Sequence, residues 1–196
     1  MARVLIMHGY RNHRVEGNWH RRLASELRKL GHQVFYPQFP NADAPSLDEW
    51  QAFLIEELHH LGEAGEGETV VIGHSLGCVN WIQAASTGVL PFSVDRLLLA
   101  APADPKLLAD IPGLKLDLNN PQVKQAVIAS ANSITIVGSD ADPWAPNGLE
   151  ATYGNPLGLE PVILEGAKHL ALSDGFSYWQ GVIDWVLDPA ADLRIR

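Results

Sequence analysis

The sequence has 196 residues, 46% of them hydrophobic, and a formal net charge of −9. This length predicts a single domain, residues 1–196, with enough apolar side chains for a full hydrophobic core. Binding to nucleic acid or to an anionic membrane requires a basic surface, so the acidic balance argues against both partners.

The start of the chain and its cysteine content predict a cytoplasmic protein. The first apolar run, residues 4–7, is too short for a signal peptide or a membrane span. Cys78 is the single cysteine, which excludes an internal disulfide and an all-cysteine metal site. No feature of the sequence indicates an oligomeric state.

Apolar runs that alternate with helical patterns predict β/α units in the first half of the chain. The first three strands are residues 4–7, 33–36 and 69–72. Ser46 and Glu49 predict a capping box at the start of the second helix. The apolar positions of the first two helices recur at helical spacing: Trp19, Leu23, Leu27 and Leu30, then Trp50, Phe53, Leu54, Leu58 and Leu61.

Three further strands follow at residues 96–100, 133–138 and 161–164. Asp104-Pro105 and Asn120-Pro121 predict the N-caps of two helices. The closing helix is predicted to present Phe176, Trp179, Ile183 and Val186 to the core, and the residues from Asp188 onward are predicted to form a frayed tail. Six apolar strands separated by helical segments predict an α/β fold, in which helices cover both faces of a mostly parallel sheet.

The motif Gly73-His74-Ser75-Leu76-Gly77 joins the third strand to the following helix. A serine at so sharp a turn needs neighbours without side chains two positions away on either side, and the two glycines meet that need. The turn would lift the Ser75 hydroxyl above the sheet edge and place the Leu76 N–H at a helix N-terminus, where it stabilises an oxyanion. The motif alone is a weak signal, but the flanking strand and helix favour a nucleophilic serine.

A serine hydroxyl needs an imidazole to accept its proton and a carboxylate to orient that imidazole. The loops that follow parallel strands meet at one sheet edge, and His169 comes after the sixth strand. Asp140 and Asp142 both follow the fifth strand. Asp142 is favoured because Pro143 restricts the backbone beside it, and Asp140 would then cap the turn.

The loop after the first strand is expected to supply the second oxyanion N–H, from Tyr10, and His8 is expected to shape that loop. Tyr10 and Trp144 are candidates for substrate contact, with core packing as the alternative for Trp144. Cys78 is interpreted as a small core residue. Because no phosphate-binding or dinucleotide-binding glycine motif occurs, no cofactor is expected, and no metal is expected either.

The chain resembles the small, capless serine-hydrolase family of the α/β-hydrolase superfamily, which includes retinoblastoma-binding protein nine and bacterial relatives. The resemblance covers nearly the whole chain. The matching segments are His8-Gly9-Tyr10, Pro45 with Trp50, Gly73-His74-Ser75-Leu76-Gly77, Ala101-Pro102, Ser139-Asp140-Ala141-Asp142-Pro143, and His169 with Ser173-Asp174-Gly175-Phe176 and Trp179.

The resemblance implies an α/β-hydrolase fold without a cap domain and with strand order 2-1-3-4-5-6. It also implies Ser75 as nucleophile, Asp142 as acid and His169 as base, in agreement with the assignment from the residues. The chain departs from the family at Lys168, where relatives usually carry glycine before the catalytic histidine.

These observations predict a metal-independent, carboxylesterase-like serine hydrolase. Its substrate would be a small carboxylic ester, thioester or amide, cleaved through an acyl-enzyme on Ser75. The alternative is a protein-interaction module on the same scaffold with weak or vestigial activity, because a fold does not fix a function and one family member is named for a protein partner.

Overall fold

The computed structural model describes residues 1–196 and contains one six-stranded sheet. The strand order β2-β1-β3-β4-β5-β6 confirms the predicted order, and every neighbouring pair of strands is parallel. The strands are β1 Ala2–Met7, β2 Gln33–Phe35, β3 Glu68–His74, β4 Val94–Ala100, β5 Ala131–Ser139 and β6 Val162–Leu164.

The central strand β3 is buried on both faces, which explains its continuous apolar, β-branched sequence. Val70, Val71 and Ile72 have no exposed surface. The strand continues two residues past the predicted end because His74 still pairs with Ala100 of β4. The carboxyl ends of β1, β3 and β4 therefore lie side by side.

Helices cover both faces of the sheet, as predicted. One hydrophobic core lies between the sheet and α2, α3 and α4, and a second lies between the sheet and α1 and α6. The helices are α1 Trp19–Lys29, α2 Leu47–Glu63, α3 Leu76–Ser86, α4 Pro121–Ala129, α5 Asn155–Leu157 and α6 Gln180–Leu187. No helix combines the length and the apolar composition that crossing a membrane demands.

Two of the predicted helix caps form, and one does not. The Asp104 side chain accepts a hydrogen bond from the Lys106 N–H at 2.9 Å, at the start of a 3₁₀ helix, Pro105–Leu108. Asn120 caps α4 in the same way. Ser46 precedes α2 but makes no capping bond, so the predicted capping box is wrong. Glu49 instead accepts a hydrogen bond from Asn41 at 3.1 Å.

The predicted apolar faces of the first and last helices extend too far. Leu30 lies one residue beyond the end of α1 and is 55% exposed, so it does not join the core. Phe176 and Trp179 are buried but precede α6. They pack edge to face, with ring centroids 5.6 Å apart.

The C-terminal segment is not frayed. Leu193 is buried, and its carbonyl accepts a hydrogen bond from the Trp179 indole N–H at 2.8 Å. The Gly181 N–H donates to the Ile195 carbonyl at 2.8 Å. A Cβ on Gly181 would lie 2.7 Å from the Asp192 carbonyl oxygen, so this glycine allows the tail to pack closely on α6.

Candidate active site

Ser75 occupies a strained backbone conformation between β3 and α3. Its φ of 54° and ψ of −121° lie where a residue with a side chain rarely sits. The glycines on either side are needed for close packing. A Cβ on Gly73 would lie 3.1 Å from the Cys78 nitrogen, and one on Gly77 would lie 2.8 Å from the His8 carbonyl oxygen. The local sequence therefore builds the sharp turn that the motif predicts.

A continuous chain of contacts joins three of the predicted site residues. The Ser75 Oγ lies 2.8 Å from the His169 Nε2. The His169 Nδ1 lies 2.9 Å from each carboxylate oxygen of Asp142. With Nδ1–H donating to Asp142, the His169 Nε2 accepts a hydrogen bond from the Ser75 hydroxyl. Both side chains are well shielded, at 13% exposure for His169 and 2% for Asp142.

The two carboxylates after β5 have different partners. Asp142 contacts His169, and its Oδ1 also accepts a hydrogen bond from the Trp144 N–H at 2.8 Å. Asp140 accepts hydrogen bonds from the Gly166 N–H at 2.7 Å and from the Ser139 hydroxyl at 3.3 Å. Asp140 thus ties two loops together, and only Asp142 contacts the imidazole.

The loop after β1 lies directly against the serine. A Cβ on Gly9 would be 2.7 Å from the Ser75 Cβ and 3.2 Å from its Oγ, so the close approach requires glycine. The next residue is Tyr10, whose backbone N–H donates no hydrogen bond within the chain. Leu76 is the first residue of α3, and the N–H of that position has no acceptor inside the helix.

His8 fixes the shape of this loop, as the sequence predicts. Its Nδ1–H donates to the Gly9 carbonyl at 2.8 Å, and its Nε2 accepts a hydrogen bond from the Phe39 N–H at 2.8 Å. Burial lowers the pKa of His8 to about 4, so the ring stays neutral at neutral pH. A neutral ring is required because one nitrogen donates and the other accepts.

The loop that carries His169 is strained and is held by several hydrogen bonds. Lys168 and Leu170 have φ values of 53° and 54°. A glycine at position 168 would adopt this conformation more readily because it has no Cβ, but the lysine still leaves His169 in contact with Ser75. The Trp19 indole N–H donates to the Leu170 carbonyl at 2.9 Å, and Asp174 accepts hydrogen bonds from the His169 and Ala171 N–H groups.

His74, the variable residue of the serine motif, also holds this loop. Its Nε2–H donates to the His169 carbonyl at 2.9 Å, and its Nδ1 is buried without a partner. Burial lowers the pKa of His74 to about 3. No local sequence pattern assigns His74 this role, because its partner lies 95 residues away along the chain.

Three buried neutral histidines predict a loss of stability in mild acid. Burial lowers the pKa of His8, His20 and His74, whereas each unfolded imidazole takes up a proton near pH 6.5. Their contribution to the free energy of unfolding is fully present above that pH and declines as the pH falls toward the lowered pKa values, because the unfolded chain binds more protons. Between pH 7.5 and 5.5, His8 and His74 should each remove about 1.4 kcal/mol from the free energy of unfolding, and His20 should act in the same direction.

Urea denaturation at the two pH values measures this loss. His20 stacks on Trp19, with ring centroids 3.6 Å apart, so His20→Phe keeps an aromatic ring there while removing one titrating group. The variant should show a smaller loss than the wild type. Equal stability of the wild type at both pH values would contradict the assignment of these rings as neutral.

The remaining site candidates lie around the same edge. Tyr10 lines a cavity of about 220 Å³ that also contains Ser75 and His169. The Trp144 ring centroid is 6.0 Å from that of His169, and Trp144 is 37% exposed, so it is not a core residue. Cys78 is fully buried, and burial raises the pKa of its thiol, so it is a core residue as expected.

Solved structures share this fold at low sequence identity. The ydeN gene product of B. subtilis has a TM-score of 0.74 and 21% identity, over 95% of this chain and 97% of its own. A YdeN-like hydrolase from Pectobacterium atrosepticum has a TM-score of 0.70 and 19% identity, over 95% of this chain and 89% of its own. Est1E from Butyrivibrio proteoclasticus has a TM-score of 0.65 and 17% identity, over 94% of this chain and 86% of its own.

No curated protein sequence matches the chain. The sequence does match one family model, described as serine hydrolase, over residues 4–187. This match begins within β1, spans the other five strands and includes every residue of the candidate site, and it agrees with the resemblance seen in the sequence. The chain therefore belongs to the serine hydrolase family.

Proposed function

We propose that this serine hydrolase cleaves a small carboxylic ester, thioester or amide through an acyl-enzyme on Ser75. In this proposal His169 is the general base and Asp142 the orienting acid. The observation that carries it is the unbroken contact from the Ser75 Oγ through the His169 ring to Asp142, at 2.8 and 2.9 Å. Such a chain of contacts is what activates a serine hydroxyl at neutral pH.

Acylation begins when the Ser75 Oγ attacks the substrate carbonyl carbon and the hydroxyl proton moves to the His169 Nε2. The carbonyl π electrons move to oxygen, and the N–H groups of Leu76 and Tyr10 stabilise the resulting oxyanion. When the intermediate collapses, the bond to the leaving group breaks and His169 donates its proton to that group. A water molecule then repeats these steps and releases the acid and free Ser75.

Asp142 holds the His169 Nδ1–H and stabilises the imidazolium that forms during each step. Its burial strengthens this interaction because little water screens it. The strain at Ser75 favours catalysis over the alternative of a protein-interaction module. A φ of 54° costs about 1–3 kcal/mol, which a binding surface has no need to sustain.

Tyr10 and Trp144 are proposed to contact a small-molecule acyl substrate, because both flank the Ser75–His169 pair. One structural neighbour, Est1E, is known with ferulic acid bound, so this fold accommodates a small carboxylic acid in that protein. We further propose that residues 1–196 act as one catalytic domain in the cytoplasm, in keeping with the single sheet and the lone, buried cysteine.

Rapid mixing with 4-nitrophenyl acetate tests the covalent pathway. An acyl-enzyme predicts that protein quenched in acid within the first turnover carries one additional acetyl group on Ser75, located by peptide mass spectrometry. Ser75→Ala serves as the control for adventitious acetylation of lysines. Low pH slows deacylation, so the acetyl group should then accumulate on Ser75. If the ester is turned over under these conditions and Ser75 carries no acetyl group, the proposal is contradicted.

Loss of the His74 side-chain donor should slow turnover by up to about 100-fold, since a shift of the order of 1 Å in a catalytic group has effects of that size. His74→Phe removes the hydrogen bond to the His169 carbonyl while keeping a ring in the buried site. We expect kcat to fall with little change in KM, and His74→Gln to recover part of kcat because its amide donates. A wild-type kcat in His74→Phe would show that this bond does not position His169.

A further inference from the structure

A second cavity adjoins the Ser75 site and extends away from it. This groove has a volume of about 500 Å³, within the range of roughly 300–1,000 Å³ that is typical of small-molecule sites. Its walls include Tyr10, Leu107, Leu108, Ile111 and Trp144. We refer to it as the Tyr10–Trp144 groove.

The groove is joined to the reacting atoms at two points. Tyr10 lines both the groove and the smaller cavity that holds Ser75 and His169. Trp144 also lines the groove, and its ring centroid lies 6.0 Å from that of His169. A substrate whose carbonyl sits at Ser75 therefore has room to extend one arm past Tyr10 into the groove.

Part of the groove wall is apolar and open to solvent. Leu107 is 48% exposed and Trp144 is 37% exposed, although both are large hydrophobic side chains. Adjacent apolar side chains left in water beside a reactive group are typical of a ligand site, because a bound apolar group removes them from solvent. This composition favours a hydrocarbon or aromatic arm over a sugar or a phosphate.

The charged side chains that line the groove, Asp43, Glu49 and Asp110, are all acidic. The Arg11 guanidinium lies 4.9 Å from the Tyr10 ring centroid, but Arg11 lines the Ser75 cavity and not the groove. Asp43 lies 3.1 Å from the His13 ring and Glu49 accepts a hydrogen bond from Asn41, whereas Asp110 is exposed and has no ion-pair partner. An anionic arm would meet these carboxylates at short range and be disfavoured.

We infer that the Tyr10–Trp144 groove binds an apolar arm of the substrate that is uncharged or cationic. This inference rests on the proposed function, since it concerns a substrate held at Ser75. It narrows the substrate class to esters, thioesters or amides with one apolar arm that lacks a carboxylate or phosphate.

Two ester series with the full-length protein test the length preference. One varies the acyl arm, as 4-nitrophenyl acetate, butanoate and hexanoate, and the other varies the alcohol arm, as methyl, butyl and hexyl acetate. In at least one series, kcat/KM should rise at least about tenfold from the shortest to the longest arm. Leu107→Trp replaces the leucine on the groove wall with a bulkier side chain and should abolish that rise.

Lys106→Trp is the matched control, because Lys106 is the neighbouring residue but lines a different cavity. It should retain the wild-type length preference. Charge is tested by Asp110→Lys. For arms of equal length, the wild type should have a higher kcat/KM for the uncharged ester than for one that ends in a carboxylate. Asp110→Lys should reduce this ratio of kcat/KM values several-fold at low salt, and by less at high salt.

A flat length profile in both series, or equal effects of Leu107→Trp and Lys106→Trp, would overturn the inference. Labelling of Ser75 by a small fluorophosphonate separates the two levels of failure. If Ser75 is labelled and the length profile is flat, the groove is not a substrate site but the proposed hydrolase mechanism stands. If folded protein is neither labelled nor active on any ester, both the groove inference and the proposed function are wrong.

Discussion

Ser75→Ala should reduce kcat for ester hydrolysis by about 10³–10⁶-fold, because it removes the only nucleophile in contact with His169. The oxyanion N–H groups stay in place, so a small residual rate is expected. Initial rates at saturating 4-nitrophenyl acetate measure the effect. Retention of more than a tenth of the wild-type kcat would rule out acyl transfer to Ser75.

Stability measurements separate a loss of chemistry from a loss of fold. Alanine keeps a Cβ at φ 54°, so Ser75→Ala should remain as strained as the wild type. Ser75→Gly should also be inactive, yet about 1 kcal/mol more stable than the alanine variant, because glycine adopts this conformation without the Cβ clash. Urea denaturation of both variants checks this order, and the reverse order would contradict the assignment of strain to Ser75.

Asp142→Asn should lower kcat by about 10⁴-fold near neutral pH. The amide nitrogen would face the His169 Nδ1 and favour the tautomer in which Nε2 carries the proton and no longer accepts one from Ser75. The asparagine oxygen still accepts the hydrogen bond from the Trp144 N–H, so the loop after β5 should keep its shape.

Asp140→Asn is the matched control for this change. Its oxygen still accepts from the Gly166 N–H, and it has no contact with the imidazole, so kcat should stay within a few-fold of the wild type. Steady-state kinetics of the two variants on the same ester decide between the carboxylates. An Asp140→Asn variant with the greater loss of kcat would make Asp140 the functional acid.

The parts of this structure that sequence predicts are those encoded locally. The buried run before Gly73 specifies a central strand, and Gly73 and Gly77 specify the turn because only glycine tolerates the neighbouring backbone at 2.8–3.1 Å. The strand order, in contrast, is implied by the family resemblance. Pro143 favours Asp142 over Asp140 because it restricts the backbone beside Asp142.

The parts that sequence did not predict depend on contacts between distant segments. The hydrogen bond from His74 to the His169 carbonyl joins residues 95 apart, and no local pattern signals it. The capping box at α2 failed because Asn41, from a preceding loop, hydrogen-bonds to Glu49. The groove residue Leu107 comes from an irregular stretch after β4 that has no hydrophobic periodicity to interpret.

Labelling with a small fluorophosphonate, followed by intact-mass measurement, tests the central claim most directly. The reagent reacts with a serine only when an adjacent base activates it, so the native wild type should gain one adduct. Ser75→Ala and heat-denatured wild type should gain none. An absence of adduct on folded wild type, or an adduct on Ser75→Ala, would contradict the assignment of Ser75 as an activated nucleophile.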